Sequence, residues 1–479
     1  MVSADLSSGG QSGRECFARA EALLLEGDIE AAAEAFRAIP DLEALLAQPA
    51  PDGRPVPGPD FIIIGAPRGG TSWLKRVLKR HPDVFLPPGE PHYFWRGLDR
   101  SPIAYVADLA RQVDGASARP VIGEKSPAYL TISNDRIALC ASLFPRLKLV
   151  CHVRDPVDRA WSMIRRLEAF SQDATPDAID VEGTVRELQR IVQFGFYRRH
   201  LRRWGAHFPP ERFLVLDFDR IGKEPDAIYQ QVLLHIGASS HKPAMPEGPG
   251  PAPPVPDAIR AALEDAYRDE PWDIACLKRA LREGGGAVPE ADTALIKSRS
   301  RLAAWRLMLE SAAGHATAHA RLASVLAAAG RAEEAIEHLE ALIRLEPAPV
   351  GHRRLLAKLL QAAGPPTRAI DAWLSLLEIV PGDLQAHANL ARLYAGGGLY
   401  AQAAPHFRAE AEADAANGDA WRRLATCLRK IGDDAGELHA LTQALRIVRG
   451  EPKLRARAET LRRQMTFSAG NVPQQPPLH

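Results

Sequence analysis

A short apolar run, a glycine-rich turn and an amphipathic segment follow one another near the start of this chain. Residues 61–64 (Phe-Ile-Ile-Ile) predict a buried strand, and residues 71–80 predict a helix with one apolar face. Free backbone N–H groups and the positive end of a helix dipole meet where such a turn enters a helix. The segment therefore predicts an α/β domain with an anion site that suits a phosphate group.

The composition of the turn separates it from the usual nucleoside triphosphate loop. Gly65 and Gly70 have the spacing of a Walker loop, but Thr71 occupies the position of its lysine, and the cation lies inside the turn as Arg68. This pattern disfavours a nucleotide kinase or another P-loop enzyme, and nothing in the segment requires a metal ion. A tight turn without a ligand is the simpler alternative for the segment.

A second segment repeats the pattern of a strand that runs into a helix. Residues 147–153 predict a buried strand, and Asp155 and Pro156 suit the N-cap and the first position of the helix after it. Ser162 lies about two helical turns beyond the cap, so it can converge with Arg154 on one phosphate group. Arg166 lies one turn further on and can join them. A surface salt bridge is the alternative role for Arg154.

Together the two segments resemble the sulfotransferases that use 3′-phosphoadenylyl sulfate (PAPS) as donor. In that family, segments similar to residues 67–72 (Pro-Arg-Gly-Gly-Thr-Ser) and 154–162 (Arg-Asp-Pro-Val-Asp-Arg-Ala-Trp-Ser) hold the 5′-phosphosulfate and the 3′-phosphate. The resemblance covers residues 58 to 285 and implies a P-loop-like domain with a central parallel sheet flanked by helices. It implies PAPS contacts from the following residues: Arg68, Gly69, Gly70, Thr71, Ser72, Arg154, Ser162, Arg166 and Tyr197.

Two further segments resemble the glycan-modifying, heparan-sulfate-type sulfotransferases and their bacterial relatives. Residues 88–94 (Pro-Gly-Glu-Pro-His-Tyr-Phe) are similar to a segment whose glutamate is the catalytic base in those enzymes. Residues 123–129 (Gly-Glu-Lys-Ser-Pro-Ala-Tyr) are similar to a segment whose lysine faces the active site, and residues 195–204 resemble a helix of the same enzymes. The resemblance therefore implies roles for Glu90 and Lys125.

The chemistry of sulfuryl transfer fits these residues. The reaction is an in-line displacement, analogous to phosphoryl transfer, and a sugar hydroxyl must lose its proton as it attacks. Glu90 is the candidate general base, and His92 is expected to orient it or to contact the acceptor. Arg68 and Lys125 would neutralise charge on the departing phosphate oxygen. The expected acceptor is a hydroxyl of a glycan or glycolipid, with tyrosine or small phenols as alternatives.

The chain departs from the family pattern late in the domain. Many members carry a basic loop over the 3′-phosphate, whereas residues 239–254 contain many prolines and a single cation, Lys242. Lys297, Arg299 and Arg301 are candidates to replace that loop, although the sequence gives no register for them. A repeat-based scaffold with an inactive transferase domain is therefore an alternative to an enzyme.

The C-terminal third repeats every 34 residues. Gly330, Gly364, Gly398 and Gly432 mark the period, and a Leu-Ala pair lies at the same position before each. The pattern resembles the tetratricopeptide repeat, a helix-turn-helix unit that stacks into a solenoid with a concave surface. Glu437 stands where alanine is expected, which is typical of a capping repeat. The region is expected to bind a protein partner, to mediate self-association, or to brace the enzyme domain and contact its acceptor.

We accordingly expect a helical hairpin at residues 1–55, the sulfotransferase domain at 56–290, tetratricopeptide repeats at 291–465 and a disordered tail at 466–479. The net charge of +1 disfavours strong binding to nucleic acid. Five cysteines without paired spacing predict reduced thiols and no metal site. The absence of a signal peptide or of an apolar spanning segment predicts a cytoplasmic, bacterial enzyme.

Overall fold

The structure, a computed structural model, divides into two compact units, Met1–Gly314 and His315–His479, each considered by itself. None of the described helices is both long and apolar enough to span a membrane. The structure describes the following residues: 6–113, 120–171, 174–175, 178–248, 253–283, 290–311, 315–345, 349–448 and 451–470.

The first unit begins with the expected helical hairpin, α1 (Leu6–Leu25) and α2 (Ile29–Arg37). The chain reverses at Gly27, whose φ of 93° is in the left-handed region that glycine adopts without strain. Phe17 and Phe36 close the hairpin with an edge-to-face contact at 5.3 Å between ring centroids. The helix α3 (Leu42–Leu46) and two short antiparallel strands, β1 (Gln48–Pro49) and β2 (Pro55–Val56), follow.

A five-stranded sheet forms the centre of the first unit, and every pairing in it is parallel. Its order is β4-β5-β3-β6-β7. All five residues of the central strand are buried, because helices cover both faces of the sheet. The strands have the following bounds: β3 (Phe61–Gly65), β4 (Val84–Phe85), β5 (Val121–Lys125), β6 (Lys148–Val153) and β7 (Phe213–Asp217).

Alternate residues of β3 enter two hydrophobic clusters, one on each face of the sheet. Ile62 and Ile64 pack with the N-terminal hairpin, whereas Phe61 and Ile63 pack on the opposite face. The helices of this unit are α4 (Thr71–Leu78), α5 (Tyr93–Arg96), α6 (Pro102–Gln112), α7 (Asn134–Leu143), α8 (Pro156–Ile164), α9 (Val181–Gln193), α10 (Tyr197–Gly205), α11 (Arg220–Lys223), α12 (Pro225–Ile236), α13 (Asp257–Tyr267), α14 (Ile274–Glu283) and α15 (Glu290–Leu309).

The parallel sheet brings several predicted site residues to one edge. The strands β3, β5 and β6 end at Gly65, Lys125 and Val153, so the turns that follow them lie together at the carboxyl edge. Ligands of open α/β sheets bind at this edge. The predicted fold class, a central parallel sheet flanked by helices, is confirmed.

The second unit consists of antiparallel helix pairs, as the repeat pattern predicts, and a last helix packs against α23. The helices are α16 (His315–Ala328), α17 (Ala332–Leu345), α18 (Val350–Ala363), α19 (Pro366–Ile379), α20 (Leu384–Gly396), α21 (Tyr400–Ala413), α22 (Gly418–Ile431), α23 (Asp434–Ile447) and α24 (Pro452–Gly470).

The repeated small and apolar residues are buried between the helices. Every leucine and alanine of the repeated Leu-Ala pairs is buried, with Leu356 the most exposed at 8%. Gly330, Gly398 and Gly432 have φ near 75°, but Gly364 is extended, with φ −105° and ψ 176°. Pro365 follows Gly364, and a residue before proline avoids helical conformations.

Glu437, which replaces the alanine of the repeat, is buried in the last pair. Its two oxygens accept hydrogen bonds of 3.0 and 2.8 Å from Arg457 of α24. Arg457, whose side chain is partly exposed, thus gives the buried carboxylate the partner of opposite charge that it needs, and links the last repeat to the final helix. The helix α24 continues through the first residues of the predicted disordered tail, and residues 471–479 lie outside the described part.

The boundary between the units differs from the predicted one. We expected the repeats to begin at residue 291, but α15 packs against α9 and α13 and belongs to the first unit. The N-terminal hairpin likewise belongs to this unit, since α2 packs against α7. Charged residues hold α15 in place: Arg199 binds both Glu270 (3.0 Å) and Asp292.

Candidate functional site

A cleft of about 600 Å³ opens at the carboxyl edge of the sheet. Side chains from the turns after β3, β5 and β6 line it, together with residues that precede α5. Most of the residues that the sequence marked as functional meet here: Arg68, Gly70, Thr71, Ser72, Glu90, His92, Lys125, Arg154 and Ser162.

The glycine-rich turn leaves the N-terminus of α4 open toward the cleft. Gly70 is the N-cap residue and has φ 99°, so it provides no side chain to cap the helix. A Cβ atom at Gly70 would lie 2.4 Å from the Cδ1 atom of Ile221, and the positive φ would strain any larger residue at this position. The N–H groups of the first turn have no intrahelical partner, so Thr71 and Ser72 can donate to an anion in the cleft.

Arg68 links the two predicted anion segments. Its Nε donates a 3.0 Å hydrogen bond to Ser162 Oγ on α8. Partial burial lowers the pKa of Arg68, and the nearby charges of Arg166, Arg165 and Arg154 lower it further. Several guanidinium groups that repel one another favour a ligand with more than one negative charge.

Arg154 is the second cation of the cleft and is 8% exposed. Its guanidinium lies 4.5 Å from the centroid of the Phe218 ring. None of the described residues forms an ion pair with Arg154, although a buried cation normally has such a partner. Asp155 caps α8 by accepting a 2.9 Å hydrogen bond from the Asp158 N–H, as predicted. The arrangement leaves the Arg154 guanidinium available for an anion.

Three residues of the predicted donor set do not line the cleft. The helix α8 ends at Ile164, so Arg165 lines the cleft instead of Arg166. Gly69 instead supports the turn, because its N–H donates a 3.0 Å hydrogen bond to the Ala66 carbonyl. Tyr197 is fully buried, and its burial raises the pKa of the hydroxyl.

Glu90 lies between two basic side chains on the other side of the cleft. Its Oε1 is 2.5 Å from Lys125 Nζ, and its Oε2 is 3.1 Å from His92 Nε2. Lys125 comes from the end of β5, and its side chain is 10% exposed, whereas the Glu90 carboxylate is 33% exposed. Glu90 is therefore held in position and still accessible from the cleft.

His92 lies 3.1 Å from Glu90, a contact that the predicted orienting role requires. Partial burial lowers the pKa of His92, although the Glu90 carboxylate acts in the opposite direction. The Nδ1 atom of His92 is buried without a hydrogen-bond partner among the described residues, so an added proton there would be unsatisfied. The neutral ring therefore donates from Nε2 to Glu90.

Lys75, which sequence reasoning missed, supports the segment before Glu90. Its Nζ donates hydrogen bonds of 2.8 and 2.6 Å to the carbonyls of Pro88 and Gly89. Burial lowers the pKa of Lys75 to about 8, with further contributions from Lys79 and Lys125. From the sequence, Lys75 is only a lysine on the polar face of α4. No sequence pattern therefore predicts its contact with the Pro88 and Gly89 carbonyls.

Glu124 is a second residue that sequence reasoning missed. It is fully buried, and the hydroxyls of Tyr105 and Ser126 donate to its two oxygens. Burial raises the pKa of Glu124, and these hydrogen bonds act against that effect. Ser126 in turn accepts a 3.3 Å hydrogen bond from the His92 N–H. Glu124 thus fixes the strand end that carries Lys125 and the backbone that carries His92.

His152 lies under the glycine-rich turn. It is fully buried, and neither ring nitrogen has a hydrogen-bond partner among the described residues. Its carbonyl accepts a 2.8 Å hydrogen bond from the Ala66 N–H, which ties the turn to β6. Burial lowers the pKa of His152 to about 4, so the ring is neutral near pH 7.

The proline-rich segment near residue 250 contributes to the cleft through Pro253. The Trp161 indole donates a 3.0 Å hydrogen bond to the Pro254 carbonyl, which fixes this segment to α8. Lys242 does not line the cleft, and Arg299 forms a 2.7 Å ion pair with Asp269. Residues 249–252 lie outside the described part of the chain.

A family model and several relatives match this region of the chain. Residues 58–246 match the family model described as a sulfotransferase domain. The chain is 32% identical to human heparan sulfate glucosamine 3-O-sulfotransferase 3B1 over 173 residues, which are 35% of this chain and 43% of that protein. It is 28% identical to mouse heparan sulfate glucosamine 3-O-sulfotransferase 6, over 44% of this chain and 69% of that protein.

The chain spans about two fifths of the length of the human 3B1 relative. Among solved structures, a sulfotransferase from Alicyclobacillus acidocaldarius is 21% identical with a TM-score of 0.36, over 47% of this chain and 96% of that one. The tetratricopeptide-repeat protein YrrB is 20% identical with a TM-score of 0.28, over 35% of this chain and 86% of that one.

Proposed function

We propose, from the premise that residues 58–246 form a sulfotransferase domain, that this protein transfers the sulfuryl group of PAPS to a hydroxyl of a glycan. The observation that carries the proposal is the composition of one cleft. Arg68, Arg154 and the open N-terminus of α4 provide an anion site, and the Glu90–Lys125 pair lines the same cleft. A phosphosulfate donor and a hydroxyl acceptor need these two kinds of group close together.

The donor fits the residues on the anion side. Arg154 is a nearly buried cation without an ion-pair partner among the described residues, and a 3′-phosphate would supply the missing negative charge. The N-terminus of α4 and Arg68 suit the 5′-phosphosulfate, because backbone N–H groups and a guanidinium bind such oxygens together. The bound donor supplies a sulfuryl group whose leaving group is a phosphate.

The residues on the opposite side suit the acceptor step. Glu90 accepts the proton of the attacking hydroxyl as the new oxygen–sulfur bond forms and the bond from sulfur to the phosphate oxygen breaks. His92 keeps one carboxylate oxygen in place. Lys125 compensates the charge of Glu90 and is close enough to stabilise negative charge that develops beside it. The reaction releases 3′,5′-phosphoadenosine.

A glycan acceptor is supported by the relatives and by the wall of the cleft next to Glu90. The curated relatives act on heparan sulfate, according to their names. Trp95 and Arg190 line the cleft, and the Arg190 guanidinium lies 5.5 Å from the centroid of the Trp95 ring. An indole next to a guanidinium provides an apolar face and hydrogen-bond donors for a sugar ring.

Calorimetry tests the donor part of the proposal. We expect 3′,5′-phosphoadenosine to bind without a metal ion, and Arg154→Ala to weaken this binding at least about 100-fold because a buried charge pair is lost. Lys242→Ala is a suitable control, since Lys242 does not line the cleft. Preferential, magnesium-dependent binding of ATP would refute the proposal in favour of a kinase-like enzyme.

Substitution of the base tests the chemical part. We expect Glu90→Gln to reduce turnover by about 100-fold or more and to leave nucleotide binding within twofold, as is typical for the loss of a general base. Turnover is measured as 3′,5′-phosphoadenosine released in the presence of a panel of glycans and phenols. Donor binding without turnover on any acceptor would instead support a scaffold with an inactive domain, and phenol-only turnover would refute the glycan acceptor.

A further inference from the structure

The charges of the second unit are segregated between the two helices of each pair. The first helices, α16, α18, α20 and α22, carry nine Lys or Arg residues and one Asp. The second helices, α17, α19, α21 and α23, carry four Arg residues and ten Asp or Glu residues. The first helices therefore form a basic set and the second helices an acidic set, although the net charge of the whole chain is near zero.

Basic side chains occupy equivalent positions of the repeat in two cases. Lys358 of α18 and Arg392 of α20 are 34 residues apart, which is one repeat. Arg422 of α22 is two repeats beyond Arg354, which lies one helical turn before Lys358. Arg429 lies two turns after Arg422 on α22. We call Lys358, Arg392, Arg422 and Arg429 the basic row.

A hydrogen bond connects α18 with α20, and α20 shares a hydrophobic cluster with α22. Gln361 of α18 donates a 3.3 Å hydrogen bond to Asn389 of α20, and Arg392 donates to the same Asn389 oxygen at 3.1 Å. Ala391 of α20 packs in one hydrophobic cluster with Leu424 of α22. Lys358 and Arg392 therefore lie on two helices that are joined by a hydrogen bond, and Arg422 and Arg429 lie on the next first helix along the chain.

The side chains of the basic row are exposed and largely unpaired. All four are exposed to solvent. Lys358, Arg392 and Arg429 form no ion pair with any described residue, and Arg422 forms only long contacts of 3.5 and 3.4 Å with Asp419 and Glu451. A row of exposed like charges raises the free energy of the folded protein slightly, and an anionic ligand would remove this repulsion.

We infer that the basic row binds an anionic glycan, the acceptor or the sulfated product of the cleft. The inference rests on the proposed function for the glycan nature of the ligand. An acidic peptide fits less well, because peptide sites gain most of their affinity from buried apolar anchors. On the described first helices, large apolar residues are exposed only at the terminal positions Leu384 and Ile431. Between the cations lie the amides of Gln361 and Asn389, which suit sugar hydroxyls and sulfate oxygens.

Binding of dextran sulfate to the full-length protein tests the inference. We expect Lys358→Glu/Arg392→Glu to weaken binding by about tenfold at about 50 mM salt, and to reduce the dependence of affinity on salt, because two released counterions are lost. The matched control is Arg408→Glu/Arg446→Glu, which makes the same charge change on the exposed surface of second helices. We expect this control to change affinity less than about twofold.

Other outcomes would overturn the inference. It fails if both double variants weaken binding equally, since net charge would then account for the effect. It also fails if polyglutamate binds as tightly as dextran sulfate with the same dependence on Lys358, which would indicate an acidic protein ligand. Binding of 3′,5′-phosphoadenosine is measured on the same variants and should not change. If the wild-type protein binds dextran sulfate through the basic row but does not bind 3′,5′-phosphoadenosine, the proposed function is refuted. The basic row is then still an anion site.

Discussion

Arg68 and Ser162 are 94 residues apart in sequence and are joined by a 3.0 Å hydrogen bond from Arg68 Nε to Ser162 Oγ. The bond connects the turn after β3 with α8, which follows β6. It fixes the plane of the Arg68 guanidinium and leaves the remaining N–H groups for a ligand. The two parts of the anion site are therefore arranged before a ligand binds.

Removal of the Ser162 hydroxyl tests this pre-arrangement. We expect Ser162→Ala to weaken binding of 3′,5′-phosphoadenosine by about tenfold, since a hydrogen bond to a charged group contributes about 1.5 kcal/mol or more. Calorimetry measures the change. Ser142→Ala is the control, because Ser142 is also a buried helical serine but bonds only to the Ala138 carbonyl of its own helix. An affinity unchanged by Ser162→Ala would show that Arg68 needs no such support.

We expect the acid side of the pH profile of turnover to depend on His92. Partial burial lowers the pKa of His92, so the ring is neutral at neutral pH and takes up a proton as the pH falls. A second cation next to Glu90 makes the carboxylate a weaker proton acceptor, so turnover should decrease. We expect His92→Gln, which can still donate to Glu90, to shift this decrease to lower pH. His207→Gln is the control, and an identical shift in both variants would contradict the assignment.

Lys75 should affect turnover more than nucleotide binding. We expect Lys75→Met to lower kcat by about tenfold, because the carbonyls of Pro88 and Gly89 lose their donor and Glu90 loses its position. The pKa of Lys75 is about 8, so the ammonium group becomes neutral above that pH and donates more weakly. Wild-type turnover should therefore fall above about pH 8, and Lys75→Arg should remove this fall.

The exposed Lys79 provides the control for this prediction. Lys79→Met makes the same change at the end of α4, away from the segment before Glu90. We expect kcat and nucleotide affinity to stay within about twofold of the wild-type values. Equal losses of kcat in both variants would mean that Lys75 contributes through the net charge near the cleft.

Acid should destabilise the protein through His152. The unfolded chain binds a proton on this residue below about pH 6.5, whereas the folded protein does so only near pH 4. The free energy of unfolding should therefore fall as the pH decreases from 6.5 toward 4, by about 2 kcal/mol at pH 5 from this residue. His152→Gln should lose this part of the pH dependence in thermal unfolding. A pH dependence equal to that of the wild type would assign the effect to other groups.

The meeting of Arg68 and Arg154 in one cleft is predictable from the sequence, because both residues follow strands. Arg68 and Arg154 lie directly after apolar runs, and the parallel sheet brings the ends of such runs together. Arg166 does not line the cleft, because α8 ends at Ile164 and the helical spacing no longer applies beyond that residue, so its contact with the donor stays a prediction. Lys75 and Glu124 act through contacts between segments distant in sequence, which no single-segment pattern reveals.

The fold is predicted to a similar extent. The 34-residue period identifies the helix pairs of the second unit, since the small and apolar residues recur at fixed positions. No comparable pattern in the sequence marks the end of the first unit. The helix α15 is Ala- and Arg-rich like the repeats, and only its packing against α9 and α13 assigns it to the first unit.

The packing of α15 decides where this chain can be cut. A protein that stopped at residue 290 would keep Arg199 but lose Asp292, so one buried guanidinium would retain only Glu270 as counter-ion. Asp265 would also lose its bridge to Arg306. Removing one partner of a buried pair costs about 3–5 kcal/mol, which is a large part of the stability of a typical domain. An isolated fragment of the first unit should therefore extend at least through Ser311 to stay folded.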